Sequence, residues 1–369
     1  MNKAHLYSHY RYDFLNVARK ARAEIFTYEL EGNSGSCDVS LATNVATLGL
    51  PAASNTVIIS SGIHGVELPF GSVLQQHWLP AAQEVCLANR DVRFVFVHAL
   101  NPFGAAHDLR NDQDNIDPNR NFVDFSKPQT TSENYRTLAD AFAPAKLSVP
   151  ALARAWGKLL TFGFVTHGIG ALKQALAGGQ YDFPDGLYYG GIRPSWTREK
   201  WQEIVHDHVV HPELKKIWHI DIHTGEGPRG KLQLMVNTVA KSPLHQRVSD
   251  LGWADNVVVT NTSFAALTGD IVDFWPTFKL SPGVVVTPLA LEVGTSKVPS
   301  VMRGMDVLNA MIARNVLKQR HNDFHRAHLE TITRIREVFS PSDPAWEAGA
   351  LAQGDRFWKN LRASVTPRI

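Results

Sequence analysis

Residues able to do chemistry together fall in four places along a chain of 369 residues. The first is Ser61-Gly62-Ile63-His64-Gly65-Val66-Glu67. A His and a Glu three positions apart there follow an apolar run, so a turn into a helix can aim both side chains at one point. The second is Ile220-Asp221-Ile222-His223-Thr224-Gly225, again a His closing an apolar run. Two His and one Glu with an open fourth position make the ligand set of a catalytic zinc site. Taken alone, either His reads as readily as a strand-end residue capping its neighbours. The third place is Ala290-Leu291-Glu292-Val293-Gly294-Thr295. Partial desolvation of Glu292 would raise its pKa toward the range of a general base, and a salt-bridged Glu at the sheet edge is the alternative. The fourth is the polar run 110–122, RNDQDNIDPNRNF. It is either a solvated loop or, with Arg110 and Arg120 bracketing Asn and Asp, a place for a carboxylate that wants a bidentate guanidinium and an amide donor.

These residues need a scaffold, and the pattern around them supplies one. A helix is expected over 9–24, then β-like runs at 25–31, 37–49 and 56–61. The last is largely apolar, as in a strand buried on both faces. A helical pattern runs from Glu67 to about Leu79, and 91–100 is a second buried strand stopped by Asn101-Pro102. Between 124 and 216 the character changes to helical stretches punctuated by Pro, Ala, Trp and Gly, with a Gly- and Tyr-rich loop at 178–191. Strands return at 217–222, 232–237, 257–260 and 284–291, before a long basic helical pattern over 303–338 and a helical tail after Pro344. The alternation predicts an α/β fold: a mixed, mostly parallel central sheet with helices on both faces. One domain over 1–369 is expected, with 124–216 as an inserted subdomain over the cleft. In open α/β sheets ligands bind beyond the C-terminal strand ends, here 62–67, 100–122, 223–230 and 292–295.

HGVE, DPNRNF, DIHTG and LEVGT, in that order, resemble the motifs of the zinc carboxypeptidase family and of its aspartoacylase and succinylglutamate desuccinylase relatives. The matched span is about 56–296. The resemblance implies a zinc-carboxypeptidase-like fold and one Zn²⁺ per chain, held by His64, Glu67 and His223. Asp117 would accept the far-side N–H of His64 and fix its tautomer. Glu292 would be the general base that passes a proton from water to the leaving amine, and Arg110 would stabilise the oxyanion. Asn119 and Arg120 would hold the substrate's free carboxylate. Pro118 replaces the usual Leu of the Asp-x-Asn-Arg motif, and the stretch from Arg120 to His223 is long for the family. The family's peptidases carry a mobile Tyr between the last zinc His and the catalytic Glu, and 224–291 contains none. Tyr181, Tyr188 and Tyr189 are the remaining candidates for a phenol, or the role is absent. The implied activity is hydrolysis of an amide next to a free carboxylate, on a peptide or an acyl-amino acid. The alternatives are an N-acyl amino acid deacylase and a non-catalytic zinc cleft that binds a carboxylate.

Composition narrows the rest. Lys and Arg total 37 against 35 Asp and Glu, a net charge of +2, which gives no basic stripe for nucleic acid. No window approaches the roughly 18 apolar residues of a membrane span, and two cysteines, Cys37 and Cys86, fit a reducing compartment, so a cytoplasmic protein is expected. GEGPRGKL at 225–232 nearly matches a phosphate-binding loop, but Leu232 stands where Ser or Thr is needed and a strand-like run follows. Of 16 histidines, His206, His208 and His211, with His321, His325 and His328, are expected on exposed helix faces. Asp270 and Asp273, in a loop at 264–275, could attract a basic group on a substrate.

Overall fold

A computed structural model describes residues 4–32, 40–260, 268–297, 300–320 and 326–366. Cys37, His321 and His325 lie outside the described residues. Eight strands form one sheet: β1 (Glu24–Glu29), β2 (Ala42–Leu48), β3 (Asn55–Ser61), β4 (Val92–His98), β5 (Lys216–Pro228), β6 (Leu232–Val236), β7 (Val257–Val259) and β8 (Val285–Ser296). Their order is β1-β2-β4-β3-β5-β8-β6-β7. The central pairs β4–β3, β3–β5 and β5–β8 are parallel, as is β6–β7, while β1–β2, β2–β4 and β6–β8 are antiparallel. The fold is α/β, with the parallel strands at the centre.

Both faces are covered, and the side-chain alternation of β5 shows how. Trp218, Ile220 and Ile222 point into a cluster with Phe70, Leu74 and Trp78 of helix Leu68–Ala88 and Phe357 and Leu361 of helix Pro344–Val365. Burying an aliphatic or Phe side chain there contributes roughly 1.5–3 kcal/mol before entropy is counted. On the opposite face Trp201, Ile204 and Val205 of helix Trp196–His208 pack with Ile217 and Trp275. A further cluster joins Tyr135, Leu138 and Phe142 of the middle region to Met311 and Phe339 of helices Ser300–Arg320 and Arg326–Phe339.

Several boundaries differ from the pattern-based expectation. The first helix is Ala4–Lys20, anchored early by Tyr7, whose hydroxyl donates to the Ala42 carbonyl at 2.8 Å. It stops two residues before Arg22, which takes a left-handed φ of 55°. Helix Leu68–Ala88 continues past Leu79 because Ala82 and Val85 remain on the buried face. The 303–338 pattern belongs to two helices rather than one. Residues 225–228 continue β5 and Leu232 opens β6, so no helix follows the near-match to a phosphate loop.

The expected exposure of His208 is corrected. It is 6% exposed, packs at a tilt against the Phe26 ring and meets the Tyr28 hydroxyl at 2.8 Å, because the helix turns that face toward the sheet edge. His206 is exposed and His211 is intermediate. His98 and His219 lie on strands and are fully buried, so these two belong neither to helix surfaces nor to loops.

Candidate metal centre

The site forms where β3 ends and beside it, on the neighbouring strands β5 and β8, which run on past His223 and Glu292. After β3 the chain enters a short 3₁₀ turn, Gly65–Glu67, with His64 as its extended first residue. Gly65 has to be glycine, since a Cβ there would lie 2.0 Å from the main chain of Gly104 and Ala105. That turn folds Glu67 back onto His64, with Nδ1 of His64 2.9 Å from Glu67 Oε1. From β5, Nδ1 of His223 reaches Glu67 Oε2 at 3.0 Å. Glu67 thus bridges both imidazoles by their Nδ1 atoms, and one donor atom from each of the three residues lies within 4.8 Å of the others. All three are buried.

Each imidazole has a carboxylate behind it. Asp221 Oδ2 is 2.7 Å from His223 Nε2. Asp117 Oδ1 is 3.3 Å from His64 Nε2, off the line of a hydrogen bond. Asp117 itself caps the turn Pro118–Arg120 through the Asn119 N–H and receives Arg110 Nε at 2.8 Å. The charges are strongly interdependent. Burial would raise the Glu67 pKa, but His64 and His223 outweigh it and hold the carboxyl well below its ordinary range. Burial would lower His223, but Asp221 and Glu67 together carry it well above the usual imidazole value. For Asp117, Arg110 and His64 overcome the burial and keep the carboxylate ionised.

Glu292 stands beside His223 in the β5–β8 register and is 7% exposed. Burial first, and the negative charge of Glu67 second, push its pKa up to about 8. Its Oε1 accepts the Glu226 N–H at 2.8 Å. Arg110 turns Nη1 toward Glu67 Oε1 at 3.7 Å and lies over the Tyr188 ring, 5.2 Å from its centroid. Arg120 lies against the same ring at 5.7 Å; its Nη1 donates to the Asn119 carbonyl, and its buried Nε has no hydrogen-bond partner among the described residues.

His64, Glu67, His223, Glu292, Arg110 and Asp117 are therefore brought together. Asn119 is close by, but its amide is already engaged. Its Nδ2 donates to Asp270 at 3.1 Å and its Oδ1 accepts the Ile271 N–H at 2.9 Å. Asp270 is buried in that role, and Asp273 accepts from Asn237. Of the three tyrosines, Tyr181 donates to the Arg120 carbonyl, Tyr189 lends its main-chain carbonyl to Asp117, and Tyr188 contacts both arginines. A surface groove of about 580 Å³ lined by Trp218, Arg247 and Asn360 holds none of these residues.

A family model described as a protein of unknown function, DUF2817, matches residues 4–353. The chain belongs to the DUF2817 family. No curated protein matches it. Among solved structures, this DUF2817 member is similar to a carboxypeptidase A from Helicoverpa armigera, at 12% identity and a TM-score of 0.44 over 88% of this chain and 71% of that one. It is similar to a metallo-carboxypeptidase from Burkholderia cenocepacia, at 12% identity and 0.40 over 95% and 67%. It is also similar to a succinylglutamate desuccinylase/aspartoacylase from Rhodobacter sphaeroides, at 16% identity and 0.34 over 80% and 64%. Scores of this size leave the reading of the DUF2817 site to its own residues.

One neighbour of the site was not singled out from the sequence. Asp221 stands two residues before His223, and the two-residue period of a strand puts both on one face. The signal was there in His219-Ile220-Asp221-Ile222-His223.

Proposed function

We propose that this DUF2817 member is a zinc-dependent hydrolase that cleaves an amide bond next to a free carboxylate, in the manner of a carboxypeptidase. The observation that carries the reading is the single carboxylate of Glu67 spanning two Nδ1 atoms, each imidazole facing a further carboxylate on its other side. That donor set suits a divalent ion of zinc type, with neutral imidazoles oriented from behind. His64, Glu67 and His223 would hold it, and bound there it would supply Lewis acidity and a water of lowered pKa.

The chain's own groups supply the rest. Glu292, desolvated and next to Glu67, is a carboxylate whose proton affinity suits exchange near neutral pH. Its oxygen would take a proton from water and return it to the leaving nitrogen. The Arg110 guanidinium, fixed by Asp117, would donate to the carbonyl oxygen as charge builds there. Arg120, with its free Nε, would pair with the substrate carboxylate, and Asn119 would hold the turn that presents it. We read 1–369 as one catalytic domain with 124–216 inserted beside the cleft. Tyr188, from that stretch, supports this by covering both arginines.

Burial favours a second reading, an N-acyl amino acid deacylase. The exposures of His64, Glu67, His223 and Glu292 lie between 3% and 7%, which suits a short substrate better than a long chain. The deciding experiment is turnover of C-terminal dipeptides and of N-acyl amino acids, with and without chelator. Expected is hydrolysis in one panel, abolished by chelator and restored by zinc. Bound metal with no turnover in either panel would leave a carboxylate-binding protein instead.

A further inference from the structure

A line of hydrogen bonds runs away from His223 into the body of the sheet, and its direction is fixed at both ends. At the far end the Trp275 indole Nε1 lies 3.0 Å from His219 Nδ1. An indole N–H can only donate, so His219 Nδ1 must accept and the ring proton of the neutral imidazole must sit on Nε2. His219 Nε2 lies 3.0 Å from Ser60 Oγ. At the near end Ser60 Oγ lies 2.6 Å from Asp221 Oδ1, and a carboxylate can only accept. Ser60 has one proton and gives it to Asp221, so its oxygen must accept from His219. Both ends demand the same His219 tautomer. Asp221 Oδ2 is left for His223 Nε2 at 2.7 Å, and His223 Nδ1 is left for the side of Glu67.

The sheet builds this line by register. Ser60 pairs with Asp221 across β3 and β5, and His219, Asp221 and His223 alternate onto the face that receives Trp275. Trp201 stacks on the His219 ring at 4.7 Å and holds its plane. Ser60, His219 and Asp221 are each 0% exposed, so bulk solvent does not compete for these bonds.

We propose that Ser60, His219 and Trp275 are positioning residues that decide which nitrogen His223 turns toward the metal, a role that rests on the metal-centre reading above. Were His219 in the other tautomer, its Nε2 would be an acceptor competing for the one Ser60 proton. Asp221 would then lose the donor that fixes its carboxyl plane, and His223 the acceptor that fixes its ring. Trp275 prevents this from four hydrogen bonds away from His223.

The polarity is tested first in metal-free, ¹⁵N-histidine-labelled full-length protein, by long-range ¹H–¹⁵N spectra. His219 is expected as the Nε2–H tautomer, and a Nδ1–H signal overturns the proposal whatever metal the protein binds. Trp275→Phe keeps an aromatic ring, though a smaller one, and removes the donor, so His219 should then show a mixture of tautomers. Zinc affinity, read by chelator competition, is expected to fall about 3- to 10-fold in Ser60→Ala, below the roughly 10–100-fold cost of losing a direct partner of a ligand. Trp275→Phe should cost less, and adding it to Ser60→Ala should cost almost nothing more, since the line is already broken. Unchanged affinity in Ser60→Ala, or fully additive losses, would overturn the proposal. A wild type that takes no zinc would remove the metal-centre reading and with it the role of this line, while the His219 tautomer would still report whether the line runs as drawn.

Discussion

His219 and His223 sit on the same strand and the same face, and their exposures are 0% and 5%. Burial drives the His219 pKa down to about 4, with only minor offset from Asp221. The same burial acts on His223, yet its pKa goes up, because Asp221 and Glu67 face its two ring nitrogens. His98, on β4 between Ser72 and the Phe14 ring, follows His219 and falls to about 3. Burial of an imidazole therefore says nothing about its charge. What separates a neutral hydrogen-bonding element from a metal-type ligand is whether carboxylates converge on it, and among the described residues they converge on His64 and His223, beside the end of β3.

The comparison can be broken most severely at Glu292. Glu292→Gln keeps an oxygen for the Glu226 N–H and so preserves the local bond. It removes the proton acceptor, and kcat is expected to fall about 10²- to 10⁴-fold with metal content unchanged. Wild-type turnover in that variant would take the general base away from Glu292. Asp221→Asn is the next step down, and it makes the surroundings of His223 more like those of His219. An amide has one acceptor oxygen where Asp221 now uses two, for Ser60 and for His223. Whichever partner keeps the oxygen, the other loses it, and an amide N–H turned to His223 Nε2 would force the ring proton onto Nδ1. Zinc affinity should drop about 10–100-fold by chelator competition. An unchanged affinity would show that Asp221 is only a packing residue.

The fold was legible where periodicity is strong. Each strand was visible as an apolar or alternating run, and the ends of those runs pointed to His64, His223 and Glu292, although β5 and β8 continue to Pro228 and Ser296. What stayed hidden depended on tertiary contact. Nothing in a helical pattern tells that His208 faces a sheet edge with Phe26 and Tyr28. Asn119 looked like a free amide in a polar loop, and only the approach of residues 270–271 engages it. His219 looked like one more histidine, because its partners Ser60 and Trp275 come from distant segments. Glu67 and His64, by contrast, meet within one turn, so sequence spacing alone sufficed for that pair.

The gentlest way to sharpen the comparison is pH. His98 and His219 are neutral in the folded protein but bind a proton when unfolded below the ordinary value of 6.5. Their native environment therefore favours folding above pH 6.5, and that contribution is lost as pH falls toward about 4 for His219 and about 3 for His98. Each can steepen the fall by up to about 1.4 kcal/mol per pH unit. His223 has the opposite sign in metal-free protein. Its raised pKa adds stability that is complete below 6.5 and disappears as pH climbs through the folded value. Metal must displace that proton, so zinc affinity should grow about tenfold per pH unit below the raised value. Urea unfolding of chelator-treated protein at pH 7, 6 and 5 checks the first part. His98→Gln, which cannot titrate, should lower the slope between pH 6 and 5 by about 1.4 kcal/mol per unit even if it also lowers stability overall. Parallel slopes for wild type and variant would mean that His98 is already charged inside the fold, and that burial does not set its state as it sets that of His219.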